Sequence, residues 1–335
     1  MFGKRITAAI DIGAHTFKYV EVESDDARVR KAWSAPLWPE REGATLDLHG
    51  DDLRARLRDI VHRLQREVTL PPRVVTALQG TGTWLQYLDL PLLSAAEREQ
   101  AARAAACKAL PFALSQMVMS TVSVPPLREN RAGVLVVAAL RDPALALSTV
   151  FEACGMSVHR MEVTPLALAR EFGRNHPERT HAFTALVSVG FSTTHFVIVR
   201  EGLPYFAREL AVGGRHLMHA LQKAHRFTWE ETDRCFWEGD LGTVGPPCEP
   251  PLRALLHEVK RSLTHFEERF ALISGVGELW LSGGFGLWLP LRERLAKALD
   301  VAVEVDRWGS VTWKTRMPNE GGGLWKAAVG MALET

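Results

Sequence analysis

The chain carries one segment twice, and this duplication restricts the folds open to it more than any other feature. AAIDIGAHTFKYVEV, from Ala8, returns as ALVSVGFSTTHFVIV, from Ala185, at a constant offset of 177 residues. Ile10 falls on Val187, Gly13 on Gly190, Thr16 on Thr193 and Val20 on Val197. Each copy reads as a strand, a glycine-centred turn of small polar residues, and a second strand. Any two β-hairpins can look alike, but a third glycine site favours duplication. In ELWLSGGFGLWLPL, from Glu278, a strand runs into Ser282-Gly283-Gly284 and then a helix. Two such hairpins, each opening one half of the chain, predict duplicated lobes facing one another across a cleft.

Strands alternate with helices through the rest of the chain, which argues for an α/β architecture with mixed sheets. Ile6 to Ile12 and Phe17 to Glu23 are expected as strands joined by the turn Gly13-Ala14-His15-Thr16. Asp51 to Val68 places Leu53, Leu57, Ile60, Val61 and Leu64 on one stripe, the periodicity of an amphipathic helix. Its arginines spread around the helix among acidic residues, as on a solvated face. Ser94 and Glu97 form a capping box that starts an alanine-rich helix, stopped by Pro111. Val134 to Leu140 reads as a buried strand. Asp142-Pro143 then opens a helix as cap and first residue, and Gly155 closes it. Met156 to Val163 returns as a strand and Pro165 opens another helix. Arg174 to His181 has no periodicity and is expected as a boundary between lobes, giving residues 1–180 and 181–335. Gly239 to Pro251, rich in Gly and Pro, is expected as a loop between two helices of the second lobe.

Composition removes several classes of function. Lys plus Arg number 40 and Asp plus Glu 39, so no global field draws nucleic acid or anionic lipid. The longest strongly apolar run, Gly133 to Leu140, is far short of the roughly 20 residues a membrane helix needs. The N-terminus lacks the apolar core and cleavage site of a signal peptide. Cys107, Cys154, Cys235 and Cys248 are scattered with no CxxC pair, as suits buried thiols in a reducing cytoplasm. His216, His219 and His225 have no carboxylate or cysteine at ligand spacing and read as a solvated helix face.

The duplicated turns suit phosphate. A glycine turn exposes successive backbone N–H groups with little side-chain obstruction. Thr16 in one turn, and Ser192, Thr193 and Thr194 in the other, add hydroxyl donors, and Lys18 adds a cation. Asp11, at the end of the first strand, can hold Mg²⁺ through its waters. The turn at Gly283, Gly284 and Phe285 lets backbone approach the nucleoside end of a ligand.

At these residues the chain resembles the actin-like ATPase superfamily, and within it the PilM family of type IV pilus assembly. DIGAHTFKYVEVE is similar to the first phosphate motif of that family. VSVGFSTTHFVIVREGLPYFARELAVGG is similar to the second, with a helix start at Gly213-Gly214, and LSGGFGLWLPL to the adenosine motif. Between the phosphate motifs, LDLPLLSAAEREQAARAAACKALPFALSQMVMSTVSV and VLVVAALRDPALALSTVFEACGMSVHRMEVTPLALAR resemble PilM, whereas actin-like sugar kinases and FtsA carry different inserts there. FtsA also ends in an amphipathic membrane helix, to which GLWKAAVGMALET has no likeness. The resemblance implies an actin-like fold of two lobes, with a small α/β insert near residues 72–164 on the first. It implies ATP with Mg²⁺ in the cleft, and a cytoplasmic adaptor recruited to the inner-membrane face. The partner it implies is the N-terminal tail of a PilN-like inner-membrane protein, bound in extended form beside the insert, with other pilus platform components. A GspL-like component of a type II secretion system and an actin-like small-molecule kinase are the alternatives.

Four positions depart from the family pattern or bear on it. Ser188 stands where the family has a catalytic Asp, and a hydroxyl is no base near neutral pH. In FTWEETDRCFWEG, Asp233 holds the acidic place near the ribose, but Phe236 replaces a Lys. His15 replaces a small hydroxyl residue. The resemblance therefore implies nucleotide binding with weak or absent hydrolysis.

Overall fold

The computed structural model describes residues 5–37, 51–80, 82–110, 112–179, 181–239, 241–270, 275–299, 301–317 and 322–333. Pro111 lies outside them, as do the first four residues and part of the Arg174–His181 stretch.

In chain order the elements are β1 (Ile6–Ile12), β2 (Thr16–Glu23), β3 (Arg28–Pro36), α1 (Asp51–Glu67), β4 (Arg73–Leu78), β5 (Thr83–Pro91) and α2 (Ala95–Ala109). There follow β6 (Met117–Val124), β7 (Arg131–Leu140), α3 (Arg141–Ala153), β8 (Ser157–Val163) and α4 (Thr164–Asn175). The second half runs β9 (Thr184–Val189), β10 (Thr194–Arg200), β11 (Leu203–Leu210), α5 (Gly214–His225), α6 (Trp229–Glu238) and α7 (Leu241–Arg269). It ends β12 (Glu278–Ser282), α8 (Leu289–Leu299), β13 (Ala302–Val305), β14 (Thr312–Trp313) and α9 (Lys326–Ala332).

Period-two alternation in β1 fixes how the first sheet, ordered β14-β3-β2-β1-β4-β8, is covered. Ala8, Ile10 and Ile12 face α1 and α3, packing on Leu53, Leu57, Ile60 and Phe151. Ala9, with Val20 and Val22, faces α9 and packs on Trp325, Ala328 and Val329. The second sheet, β13-β12-β9-β10-β11-β5-β7-β6, buries Val187, Val189 and Phe196 against α5 and α7. Its other face buries Leu186 and Val197 against Leu168 and Phe172 of α4. Helices α4 and α9 therefore lie between the sheets. A Cβ on Gly330 of α9 would stand 1.9 Å from the Ala167 carbonyl of α4, so only glycine allows that approach.

The capping box of α2 is present, with the Glu97 carboxylate accepting from Ser94 N–H at 2.8 Å and Ser94 Oγ accepting from the Glu97 amide. Gly155 closes α3 at φ +75°, but α3 begins at Arg141, so Asp142 sits in its first turn and does not cap it. The sheet topology adds detail, and one expectation changes more. The segment 72–164 divides: β4 and β8 belong to the first sheet, while β5, β6 and β7 extend the second. At the other end of the chain, β14 and α9 return to the first sheet. The loop expected at Gly239–Pro251 is largely helix, because α7 starts at Leu241 and contains Pro246, Pro247, Pro250 and Pro251. Four prolines remove four donors. The register is held instead by Val244, Cys248, Leu252, Leu255, Val259, Leu263 and Phe266, an unbroken buried stripe in the main core.

Candidate functional site

The repeat is carried into three dimensions atom by atom. Gly13 N–H donates to the Thr16 carbonyl at 3.0 Å, and at the same offset Gly190 N–H donates to the Thr193 carbonyl at 3.0 Å. A Cβ would lie 3.0 Å from Thr16 O at Gly13 and 2.9 Å from Thr193 O at Gly190, so each turn is tightest where its glycine sits. The third site joins them. Gly283, at φ +83°, lies against the end of β9, where a Cβ would meet Val189 O at 2.4 Å. Its N–H donates to Gly323 O, and Phe285 N–H donates to Val189 O.

These turns enclose a cavity of about 580 Å³ between the lobes. Of the sequence-expected residues, Asp11, Gly13, Ala14, His15, Thr16, Lys18, Gly190, Ser192, Thr193, Asp233, Gly283, Gly284 and Phe285 line it, as does Ser188. Thr194, Gly213 and Gly214 do not line it, and their place is behind the second turn. Thr194 is fully buried, with its hydroxyl donating to Val212 O at 2.7 Å. A Cβ at Gly213 would stand 2.6 Å from Phe191 O, and one at Gly214 would enter the Phe285 ring. Gly214 N–H donates to Gly190 O, so the start of α5 braces the turn from outside. Phe236 is also absent from the wall, packed between Phe285 and Trp288 at centroid distances of 5.5 and 5.0 Å.

Charge is concentrated on one side. β1 and β2 set Asp11 opposite Lys18, and Lys18 Nζ donates to Asp11 Oδ2 at 2.5 Å with both side chains buried. On the second lobe the corresponding cross-strand pair is Ser188 and His195. Burial holds the His195 pKa below its ordinary 6.5, against the opposing pull of Glu209 and Asp11. His15 is held low in the same way, with Asp233 pulling it up and Lys18 pushing it further down. Its ring lies 4.8 Å from Phe191 and 6.3 Å from Trp229, an aromatic contact directly across the cleft.

Phosphate oxygens fit what is here. Ser192 Oγ is buried in the second turn without a protein hydrogen-bond partner, beside open glycine backbone. Asp11 is already engaged by Lys18, which suits a cation held through water more than one bound directly. No group of three or more metal-ligating side chains occurs among the described residues, His216, His219 and His225 included.

Residues 9–333 match the model of a known family, the type IV pilus assembly protein PilM. The chain belongs to the PilM family. A solved PilM–PilN type IV pilus biogenesis complex contains a chain that superposes with a TM-score of 0.82 at 24% identity, covering 98% of each chain. The ethanolamine utilization protein EutJ of Salmonella typhimurium is 25% identical over 143 residues, 43% of this chain and 45% of that protein. The chain thus matches less than half the length of that curated relative. The EutJ structure from Carboxydothermus hydrogenoformans superposes with a TM-score of 0.55 at 14% identity, over 98% of this chain and 89% of that one. An archaeal actin homologue does so at 0.51 and 12%, over 98% of each. The fold is that of actin-like ATPases. Among the described residues of this PilM-family chain, no helix is long and apolar enough to cross a membrane.

Sequence reasoning missed part of the wall. Trp229 and Trp237 line the cavity on either side of Asp233, at positions i, i+4 and i+8 of α6, so the helical stripe itself was the available signal. Gly323 closes the third turn, and the glycine run Gly321-Gly322-Gly323 marks it in sequence. Gln79 and Thr164 carry no such mark. They reach the cleft because β4 and the start of α4 end there.

Proposed function

We propose that this PilM-family chain is a cytoplasmic adaptor of the pilus machinery that closes its lobes on ATP. The observation that carries this reading is the pair of turns closed by matching hydrogen bonds, both lining one cavity, with the Ser192 hydroxyl of the second turn left unpartnered. Backbone N–H groups of Ala14 to Thr16 and Phe191 to Thr193 receive the phosphates, held in place by the Gly13–Thr16 and Gly190–Thr193 hydrogen bonds, with Thr16, Ser192 and Thr193 adding hydroxyl donors. Lys18 supplies the neutralising cation. Asp11 holds Mg²⁺ through its waters, and bound Mg²⁺ neutralises phosphate charge. The Trp229–Asp233–Trp237 stripe and the Gly283–Phe285 turn take the nucleoside end. Ser188 accepts or donates a hydrogen bond but takes no proton at neutral pH, so hydrolysis is slow and nucleotide acts as a clamp on closure.

The partner proposed is the cytoplasmic N-terminal tail of a PilN-like inner-membrane protein, which brings the chain to the membrane face. Support comes from the family match and from the PilM–PilN complex in which the similar chain was solved. Calorimetry with ATP, and with a synthetic peptide of the first dozen or so residues of the cognate PilN-like protein, tests both halves. ATP–Mg²⁺ and the peptide bind, and a scrambled peptide does not. Absence of ATP binding removes the cleft assignment, and absence of peptide and full-length partner binding, with or without ATP, removes the adaptor.

A further inference from the structure

The second sheet has a seam. β10 pairs with β11 from Thr194 to Arg200 and β5 with β7 from Thr83 to Pro91, yet β5 and β11 meet at one position, Gln86 against Phe206. A second cavity, of about 510 Å³, opens along that seam. Helix α7 presents Arg261, His265 and Arg269 to it at four-residue intervals, and β11 contributes Arg208. Arg208 and Arg261 share the Glu258 carboxylate, at 3.4 and 2.8 Å. Arg269 has no carboxylate within ion-pair distance among the described residues; its guanidinium meets only neutral acceptors, the Tyr87 carbonyl at 3.4 Å and the Gln86 side-chain amide oxygen, which accepts from Nη1 at 3.2 Å and from Nη2. Three guanidinium groups face one carboxylate, an excess of two positive charges at one spot of a chain whose net charge is +1. Desolvation lowers the Arg269 pKa, as expected of a cation partly withdrawn from water without a counter-charge.

We propose that this seam binds a phosphate-bearing small molecule of nucleotide size, at a site separate from the cleft, with Arg269 as its central contact and Arg261 and Arg208 beside it. Guanidinium forks match phosphate oxygens in pairs, which ammonium groups do not. An extended peptide fits the seam poorly. The Gln86–Phe206 bridge pins the strands at one strand spacing, about 4.8 Å, and a third strand between them needs twice that. Tyr87 and Tyr205, with ring centroids 5.0 Å apart, also bound the cavity, and Tyr205 Oη donates to Pro125 O. A ligand held here stitches β5 to β11 and α7, and so ties the segment inserted after β4 to the second lobe. The inference does not rest on nucleotide binding in the cleft.

Inorganic pyrophosphate is the probe, with hydrogen exchange of residues 84–87 and 205–208 as a readout that reports the seam and not the cleft. Pyrophosphate slows exchange there in the wild type. Arg269→Gln weakens that protection about tenfold or more in concentration, and Arg261→Gln, at an exposed position where folding is not at risk, weakens it several-fold. Arg103→Gln, on α2 and paired only with Glu99, changes nothing. ATP applied to the Lys18→Ala chain distinguishes a nucleotide from free phosphate as the source. Unchanged exchange with pyrophosphate, equal protection in both seam variants and wild type, or protection by a penta-glutamate peptide without protection by pyrophosphate, each overturns the proposal.

Discussion

The two glycine turns share a backbone and differ in charge. An offset of 177 carries the Gly13–Thr16 hydrogen bond onto Gly190–Thr193 at the same 3.0 Å, and it also carries the Asp11–Lys18 pair onto Ser188–His195. The first pair is a buried ion pair and the second a hydroxyl beside a neutral imidazole. Cradle geometry therefore depends on the glycines and not on the residues at the strand ends. Those ends are free to specialise: the first lobe buries an ion pair, and the second leaves the Ser192 hydroxyl without a protein partner.

The largest difference between the turns should appear on removing Lys18. Lys18→Ala leaves Asp11 buried without its partner, a loss of about 3–5 kcal/mol of stability. It also removes a charged ligand contact, lowering ATP affinity roughly ten- to a hundred-fold. His195→Ala strands no charge and should cost less than half as much in denaturant melts. The double variant Asp11→Asn/Lys18→Met should regain stability without regaining ATP affinity. If His195→Ala destabilises as strongly as Lys18→Ala, the assigned asymmetry of charge is wrong.

Next in size is the attempt to make the second turn resemble an active one. Ser188→Asp puts a carboxylate on the cavity wall opposite His195. A preorganised catalytic contact is commonly worth a hundred- to a thousand-fold in rate. Phosphate release at saturating ATP–Mg²⁺ should rise toward that range, short of it if the apolar packing of Phe236 weakens nucleotide retention. Brisk hydrolysis by the wild type, unchanged in the variant, removes Ser188 from the γ-phosphate end.

A smaller effect separates the turns by pH. His195 and His15 have folded pKa values below their unfolded 6.5, so the unfolded chain binds more protons and stability is lost as pH falls through and below 6.5. Glu171 works oppositely. Burial raises its carboxyl to about 8, so its contribution is present below its unfolded 4.5 and is lost as pH rises toward 8. Comparing variants cancels Glu171. Ser188→Asp should raise the His195 pKa and make the loss between pH 7 and 5.5 shallower than in the wild type, measured by urea midpoints. A steeper loss in the variant means that the new carboxylate and His195 do not pair.

Much of this geometry was legible because it is local. β1, the turn at Gly13 and the stripe of α1 follow from spacing within a few residues. Residues that act through distant contacts were not legible in the same way. Gly213 and Gly214 have the composition of a phosphate loop, and only the Phe191 carbonyl and the Phe285 ring behind them reveal a packing role. The prolines of α7 spell a loop locally, and the buried stripe from Val244 to Phe266 overrides them. The return of α9 to the first sheet depends on Trp325 and Val329 meeting Ala9 and Val20, more than 300 residues earlier in the chain.

The smallest effect tests the feature on which the cleft assignment leans most. Ser192 Oγ is buried and has no protein partner. An unsatisfied buried hydroxyl costs stability, so deleting it should not destabilise the apo chain and can stabilise it slightly. If the hydroxyl is kept for a ligand, the same deletion should weaken ATP by about 0.5–1.5 kcal/mol, two- to tenfold in Kd. Ser192→Ala should therefore move stability and affinity in opposite directions, whereas Lys18→Ala lowers both. Thermal melts of the apo chain and calorimetry with ATP read the two quantities. A Ser192→Ala chain that melts earlier and binds ATP unchanged has lost an internal hydrogen bond, and the second turn would then be a structural turn that faces the cavity without serving it.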